Sequence, residues 1–113
     1  MTMFERESYS VECADGSNAA VMRGVMRLAS PSAYDSAFAT MRARIERAEA
    51  STIDVTGVSY MNSSGIRALA SLVLLAKSNA ASLRMVASDS IPWQKKTMAS
   101  FRAIHPGLAV ELR

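Results

Sequence analysis

A mixed α/β fold, with helices packed on a β-sheet that runs parallel over its later strands, is predicted in the order β-β-α-β-α-β-α-β. Near the N-terminus, Tyr9, Val11 and Cys13 alternate with Ser10 and Glu12, the period-two pattern of a half-buried strand. Three later segments repeat apolar residues at helical spacing. Short strand-like stretches separate those helices, and strands alternating with helices after an initial hairpin imply right-handed parallel crossovers. With 113 residues, the chain is expected to be one domain over residues 1–113.

The elements follow in order. After Tyr9–Cys13, "ADGSN" reads as a turn, since Asp15-Gly16 tolerates positive φ. A second strand from Ala20 to Leu28 puts Met22, Met26 and Leu28 on one face, with Val21, Arg23, Val25 and Arg27 on the other. The two strands are expected to pair antiparallel. "SPSAYDSAFATMRARIERAEA" reads as a helix, with Ser30 or Ser32 as cap and Pro31 in the first turn. Tyr34, Phe38, Met41 and Ile45 form its buried stripe. "STIDVTGV" supplies a strand ending at Val55, and a connection crosses Thr56 to Tyr60. A second helix runs from about Ser63 to Asn79, then "SLRMVAS" forms a strand. "IPWQKKTMASFRAIH" is a third helix with Trp93, Phe101 and Ile104 facing inward. "HPG" stops it before a last strand, "LAVELR".

Composition narrows the function classes. The chain is 50% hydrophobic and 20% charged, which suits a packed core rather than disorder. A single cysteine, Cys13, cannot form an intrachain disulfide, so a reducing, cytoplasmic setting is expected. "MTMFERESYSVE" lacks the apolar run of a signal peptide, and Ile66–Ala76, interrupted by Arg67, is far too short to span a membrane. No membrane attachment is expected. The net charge is +3, with the basic excess after Ala50. No basic stripe interleaves with aromatics, so no nucleic-acid partner is expected. One histidine, His105 beside a turn, is poor material for a catalytic triad, and no G-x-S-x-G elbow or P-loop occurs. With one Cys and one His, a metal site lacks ligands. No enzymatic activity, metal or cofactor is expected.

The informative stretch is "TGVSYMNSSGIRAL". Asn62 or Ser63 can cap the second helix, because their side-chain oxygens accept orphan N–H groups of its first turn. Gly65 in that turn costs about 1 kcal/mol against Ala, which makes sense where something must approach the helix end closely. The same end carries about half a unit of positive charge. A phosphate on Ser63 would add about −1.5 to −2 charge there without opposing the fold. Ile66, Leu69, Leu72, Val73 and Ala76 share one arc of the helix, while Arg67, Ser71 and Ser78 lie opposite with Leu74 among them. Leu74 is thereby a candidate contact for a partner.

"TIDVTGVSYMNSSGIRALASL" resembles the signature of STAS domains, the family of bacterial anti-sigma factor antagonists. Its pattern ends a strand in an acidic and a hydroxyl residue, adds Gly and an aromatic or apolar pair, then opens an apolar helix with Asp/Asn-Ser-Ser/Thr-Gly. Asp54, Thr56, Gly57, Asn62, Ser63, Ser64 and Gly65 occupy the matching positions, with Asn62 where better-known members carry Asp. The resemblance implies a STAS-type mixed sheet, no catalysis, and a cytoplasmic partner-switching role in transcription regulation. It implies that Ser63, with Ser64 as the secondary candidate, is phosphorylated by an anti-sigma factor that is also an ATP-dependent serine kinase of histidine-kinase-like fold. A PP2C-type phosphatase would reverse the modification. The expected partner-binding residues are Asp54, Thr56, Asn62, Ser63, Ser64, Gly65, Arg67 and Leu74, on a monomer or weak dimer. The alternative is a STAS scaffold subunit of a larger signalling or transport-associated assembly, without phosphorylation.

Overall fold

The computed structural model describes residues 8–13 and 16–113 together with the backbone of residues 2–5. Its elements are β1 (Thr2–Glu5), β2 (Tyr9–Cys13), β3 (Ala19–Met26), a 3-10 turn (Pro31–Tyr34), α1 (Asp35–Glu46), β4 (Ser51–Met61), α2 (Ser63–Ser78), β5 (Leu83–Ala87), α3 (Pro92–Ile104) and β6 (Ala109–Leu112). From Tyr9 onward the order is the expected β-β-α-β-α-β-α-β. The strand β1 was not anticipated. It pairs antiparallel with β2, as β2 does with β3. The ladders β3–β4, β4–β5 and β5–β6 are parallel, so the six strands stand in sequence order. In the turn between β2 and β3, Gly16 has φ +73°, while Asp15 lies outside the described residues.

One face of the sheet and one face of each helix make the core. Tyr9, Val11 and Cys13 of β2, Ala20, Met22 and Met26 of β3, and Ile53 and Val55 of β4 meet helix residues in a single buried cluster. The helices contribute Phe38, Met41 and Ile45, then Leu69, Leu72 and Val73, then Met98 and Phe101. Successive crossovers that always move to the next strand on the same side keep all three helices on one face. The stripe Tyr34, Phe38, Met41 and Ile45 is buried as its spacing implied, with Tyr34 in the 3-10 turn.

Four expectations are corrected. The first helix begins as a 3-10 turn at Pro31, and neither Ser30 nor Ser32 caps it through its side chain; their hydroxyls bond to one another at 3.2 Å. That helix ends at Glu46, short of Ala50, because Ala48 turns left-handed at φ 56°. The strand from Ser51 continues through Thr56–Tyr60 to Met61, since β3 keeps pairing with it through two register shifts. Each shift inserts one residue into β4, so the inward positions jump from Val55 to Val58 and then to Met61. Ile104 is exposed at 37%; the inward residues of α3 are Gln94, Thr97, Met98 and Phe101.

Gln94 explains how the long strand is held. The pairing of β4 with β5 stops at Asp54–Val86, leaving later carbonyls of β4 without a neighbouring strand. Gln94, fully buried, donates from Nε2 to Val55 O at 2.7 Å and Val58 O at 2.8 Å. Its Oε1 accepts from Ser88 N at 2.7 Å. The Trp93 indole N–H adds a bond to Val58 O at 3.0 Å. Two side chains of α3 thus stand in for a missing strand partner. Gly24 serves the other side: at φ +104°, a Cβ there would lie 2.2 Å from Ser8 O, so only glycine lets β2 and β3 pass.

Candidate functional site at the start of helix α2

The junction of β4 and α2 is built on Asn62. Its backbone N–H donates to Met26 O at 3.0 Å, tying the end of β4 to the end of β3. As N-cap of α2, it accepts from Gly65 N–H through Oδ1 at 3.0 Å. The helix therefore starts with Asn62 as cap and Ser63 as its first residue, which resolves the alternative the sequence left open. Two further contacts anchor the Asn62 amide. Nδ2 donates to Leu28 O at 2.9 Å, and Oδ1 receives Tyr34 Oη at 3.4 Å. Tyr34 Oη in turn accepts from Leu28 N–H at 2.9 Å. Burial of that hydroxyl pushes its pKa up, and the Leu28 bond partly offsets this. The connection after β3 and the start of α2 are thereby locked through one neutral amide.

Around this anchor the eight candidate residues are placed unequally. Ser63 is exposed, and its hydroxyl has no hydrogen bond among the described residues. Ser64 is half-buried and donates to Ala29 O at 3.3 Å. Gly65 is buried: a Cβ there would meet Met61 Cγ at 2.6 Å and Tyr34 Oη at 3.3 Å. The close approach that glycine permits is therefore made by the chain's own Met61 and Tyr34. Arg67 and Leu74 are exposed on the outward face of α2, Leu74 at 50%. With Ser63, Ser71 and Ser78 they mark one stripe along the helix. Arg42 of α1 borders it, donating to Ser71 Oγ at 3.3 Å.

Asp54 and Thr56 are not brought to this end. They lie seven and five strand positions before Met61 in β4, so Asp54 stands about 20 Å from the start of α2 along the strand. Asp54 Oδ1 accepts from Thr56 N–H at 2.9 Å and from Thr56 Oγ1 at 2.6 Å. The pair thus shapes the first irregularity of β4, on the sheet face turned away from the helices. Residues that sequence reasoning passed over complete the junction: Tyr34 and Leu28 as anchors, and Tyr60 beside it. Tyr60 is 49% exposed, with the Arg27 guanidinium 5.7 Å from its ring centre, a cation–π arrangement. Their signal was an aromatic and an arginine near strand ends, too common a pattern to single out.

Among the described residues, no helix is long and apolar enough to cross a membrane, and no three His, Cys, Asp or Glu side chains gather as metal ligands do. No curated protein matches the sequence significantly. Among solved structures, a chain in the crystal structure of the diguanylate cyclase SiaD in complex with its activator SiaC, from Pseudomonas aeruginosa, has a similar fold. The TM-score is 0.68 at 12% identity, over 97% of this chain and 96% of that one. The STAS domain family model matches residues 17–106, a span that contains the whole Asn62–Gly65 junction and the helices around it. The chain belongs to the STAS domain family.

Proposed function

We propose that this protein is an anti-sigma factor antagonist: a cytoplasmic partner-switching regulator acting as a single STAS domain over residues 1–113 and controlled by phosphorylation of Ser63. One observation carries the reading. Asn62 performs the capping that would otherwise employ Ser63, so the Ser63 hydroxyl stands exposed at the first position of α2 with no hydrogen bond to lose among the described residues. A modified Ser63 adds about −1.5 to −2 charge to the partner-facing stripe while the fold beneath it is unchanged. The unmodified face, with Arg67 and Leu74 in line with Ser63, binds an anti-sigma factor serine kinase of histidine-kinase-like fold. Phosphorylation releases it, and a PP2C-type phosphatase restores binding. Ser64, held by Ala29 O, is the lesser acceptor. No catalytic step belongs to this chain in that scheme. Incubation with the cognate kinase and ATP tests it: the parent takes up one phosphate and Ser63→Ala takes up none. Equal labelling of the two refutes the assignment.

A second reading is supported by the structural likeness to a chain from a complex of a diguanylate cyclase with its activator. Here the chain is a STAS scaffold subunit that holds a signalling enzyme through the same helix face, without phosphorylation. Ser63→Ala and Ser63→Glu separate the two. Under the switching reading Ser63→Glu loses the partner, and under the scaffold reading both variants bind it equally.

A further inference from the structure

All three helices cover one face of the sheet, and among the described residues no helix covers the other. That is unusual for strands β3 to β6, because parallel ladders are normally covered on both sides. The register defines what this other face presents. One row crosses the sheet as Glu12, Val21, Asp54, Val86 and Glu111. The next row toward the end of β3 carries Ser10, Arg23 and Gly57. Val21 and Val25 are half-buried, and Val86 is buried yet lies outside the helix-facing core cluster. Glu111 has its charge matched by Arg84 and Arg113. Among the described residues Glu12, Asp54 and Arg23 have no ion-pair partner.

We infer that this face binds a second copy of the same chain, sheet against sheet, about a two-fold axis lying between those two rows. The argument is self-complementarity. Rotation about an axis along the row direction places β3 over β3 with strands reversed. Arg23 of each copy then lies above Val21 of the other, flanked by its Glu12 and Asp54. The operation is isologous, so the contact is made twice. Packed sheets stand about 10 Å apart and cross at about 30°, a gap that an extended Arg and a Glu side chain fill from opposite sides. Val21, beneath the other copy's Arg23, supplies the apolar contact at the centre, Val25 adds to it toward the rim, and the charges set the register. The interface leaves Ser63, Arg67 and Leu74 outside it, on the helical side, and does not depend on whether Ser63 is modified.

Sedimentation velocity on the full chain tests this with two charge reversals, Arg23→Glu and Glu12→Arg, each checked for a parent-like thermal transition. The parent dimerises with a Kd below about 200 µM, the range of a modest interface, and higher salt weakens it. Each reversal weakens self-association at least about tenfold, because like charges then face one another at both contacts. Arg23→Gln, which removes the charge without reversing it, falls between. Mixing the two reversed proteins recovers a one-to-one dimer tighter than either reversed protein forms alone. One contact is then the parental Arg23 with Glu12 and Asp54, and the other joins the two reversed side chains, opposed by the unchanged Asp54 alone. A monomeric parent at that concentration overturns the inference, as does a dimer that withstands both reversals or a mixture that stays monomeric.

Discussion

At residue 62 an amide does work that neither a serine nor a carboxylate can do. Asn62 caps α2 through one atom and donates to Leu28 O through the other. Truncation to Ala removes the cap, worth about 1 kcal/mol, and strands the Leu28 carbonyl and the Tyr34 hydroxyl, worth about another 1–2 kcal/mol. Asn62→Ala is therefore expected to cost about 2–3 kcal/mol in urea denaturation. Asn62→Asp keeps the cap but loses the donor, and is expected to cost about 1 kcal/mol. Ser63→Ala removes a hydroxyl that is bonded to nothing described and stays within about 0.5 kcal/mol of the parent. A cost that falls from Asn62→Ala through Asn62→Asp to Ser63→Ala distinguishes this junction from one in which Ser63 is the cap. The sequence offered both residues as caps because Asn and Ser are equally good at that position. Only the bond to Leu28, 34 residues away along the chain, separates them.

Elements end here where sequence punctuation is missing. Both α1 and α2 close with a left-handed alanine, Ala48 at φ 56° and Ala80 at φ 52°. Each is followed by the bonds of a Schellman turn: Glu49 N–H to Arg44 O and Ala81 N–H to Ala76 O, both at 2.9 Å. Glycine is the usual residue there, and its absence is why the first helix reads as running on to Ala50. The left-handed conformation costs a non-glycine residue about 1 kcal/mol, so Ala48→Gly and Ala80→Gly are each expected to stabilise the protein by about 0.5–1 kcal/mol. A rise in the denaturation midpoint with unchanged slope verifies this. The opposite sign is expected at Gln94. Gln94→Leu leaves Val55 O and Ser88 N–H buried without a donor or acceptor, and Val58 O with Trp93 alone. The cost is about 3 kcal/mol or more, and loosening of β4 beyond Asp54 is expected as faster amide exchange there.

For the molecule as a whole, two buried groups set an alkaline limit. Burial pushes the Cys13 thiol above 9.0 and the Tyr34 phenol above 10.0. Nearby Arg44 partly opposes the shift at Cys13. In each case the unfolded chain loses its proton first. The stability these groups contribute is complete below about pH 9, and it is lost as pH rises through the folded-state values. Thermal midpoints are expected to fall as the pH rises above about 9, and Cys13→Ala is expected to flatten the first part of that decline. The buried thiol should also resist alkylation in the native protein and react on unfolding.

Periodicity was enough to order the chain from Tyr9 onward and to choose the helix faces, because burial of one stripe or one strand face is a local property of the pattern. The stripe of α1 and the outward Leu74 of α2 were legible for that reason. The run Asn62–Gly65 could be recognised as a helix start with a hydroxyl on display, since capping chemistry lies within four residues. What the sequence left undecided depends on groups far apart in the chain. The continuation of β4 to Met61 needs β3 to follow it through two bulges. The role of Gln94 needs a strand that lacks its neighbour, and the choice of Asn62 over Ser63 needs the Leu28 carbonyl. The charged sheet face opposite the helices exists because three crossovers all pass on one side. Local rules settle which residues want to be buried; tertiary structure decides which polar atoms find each other.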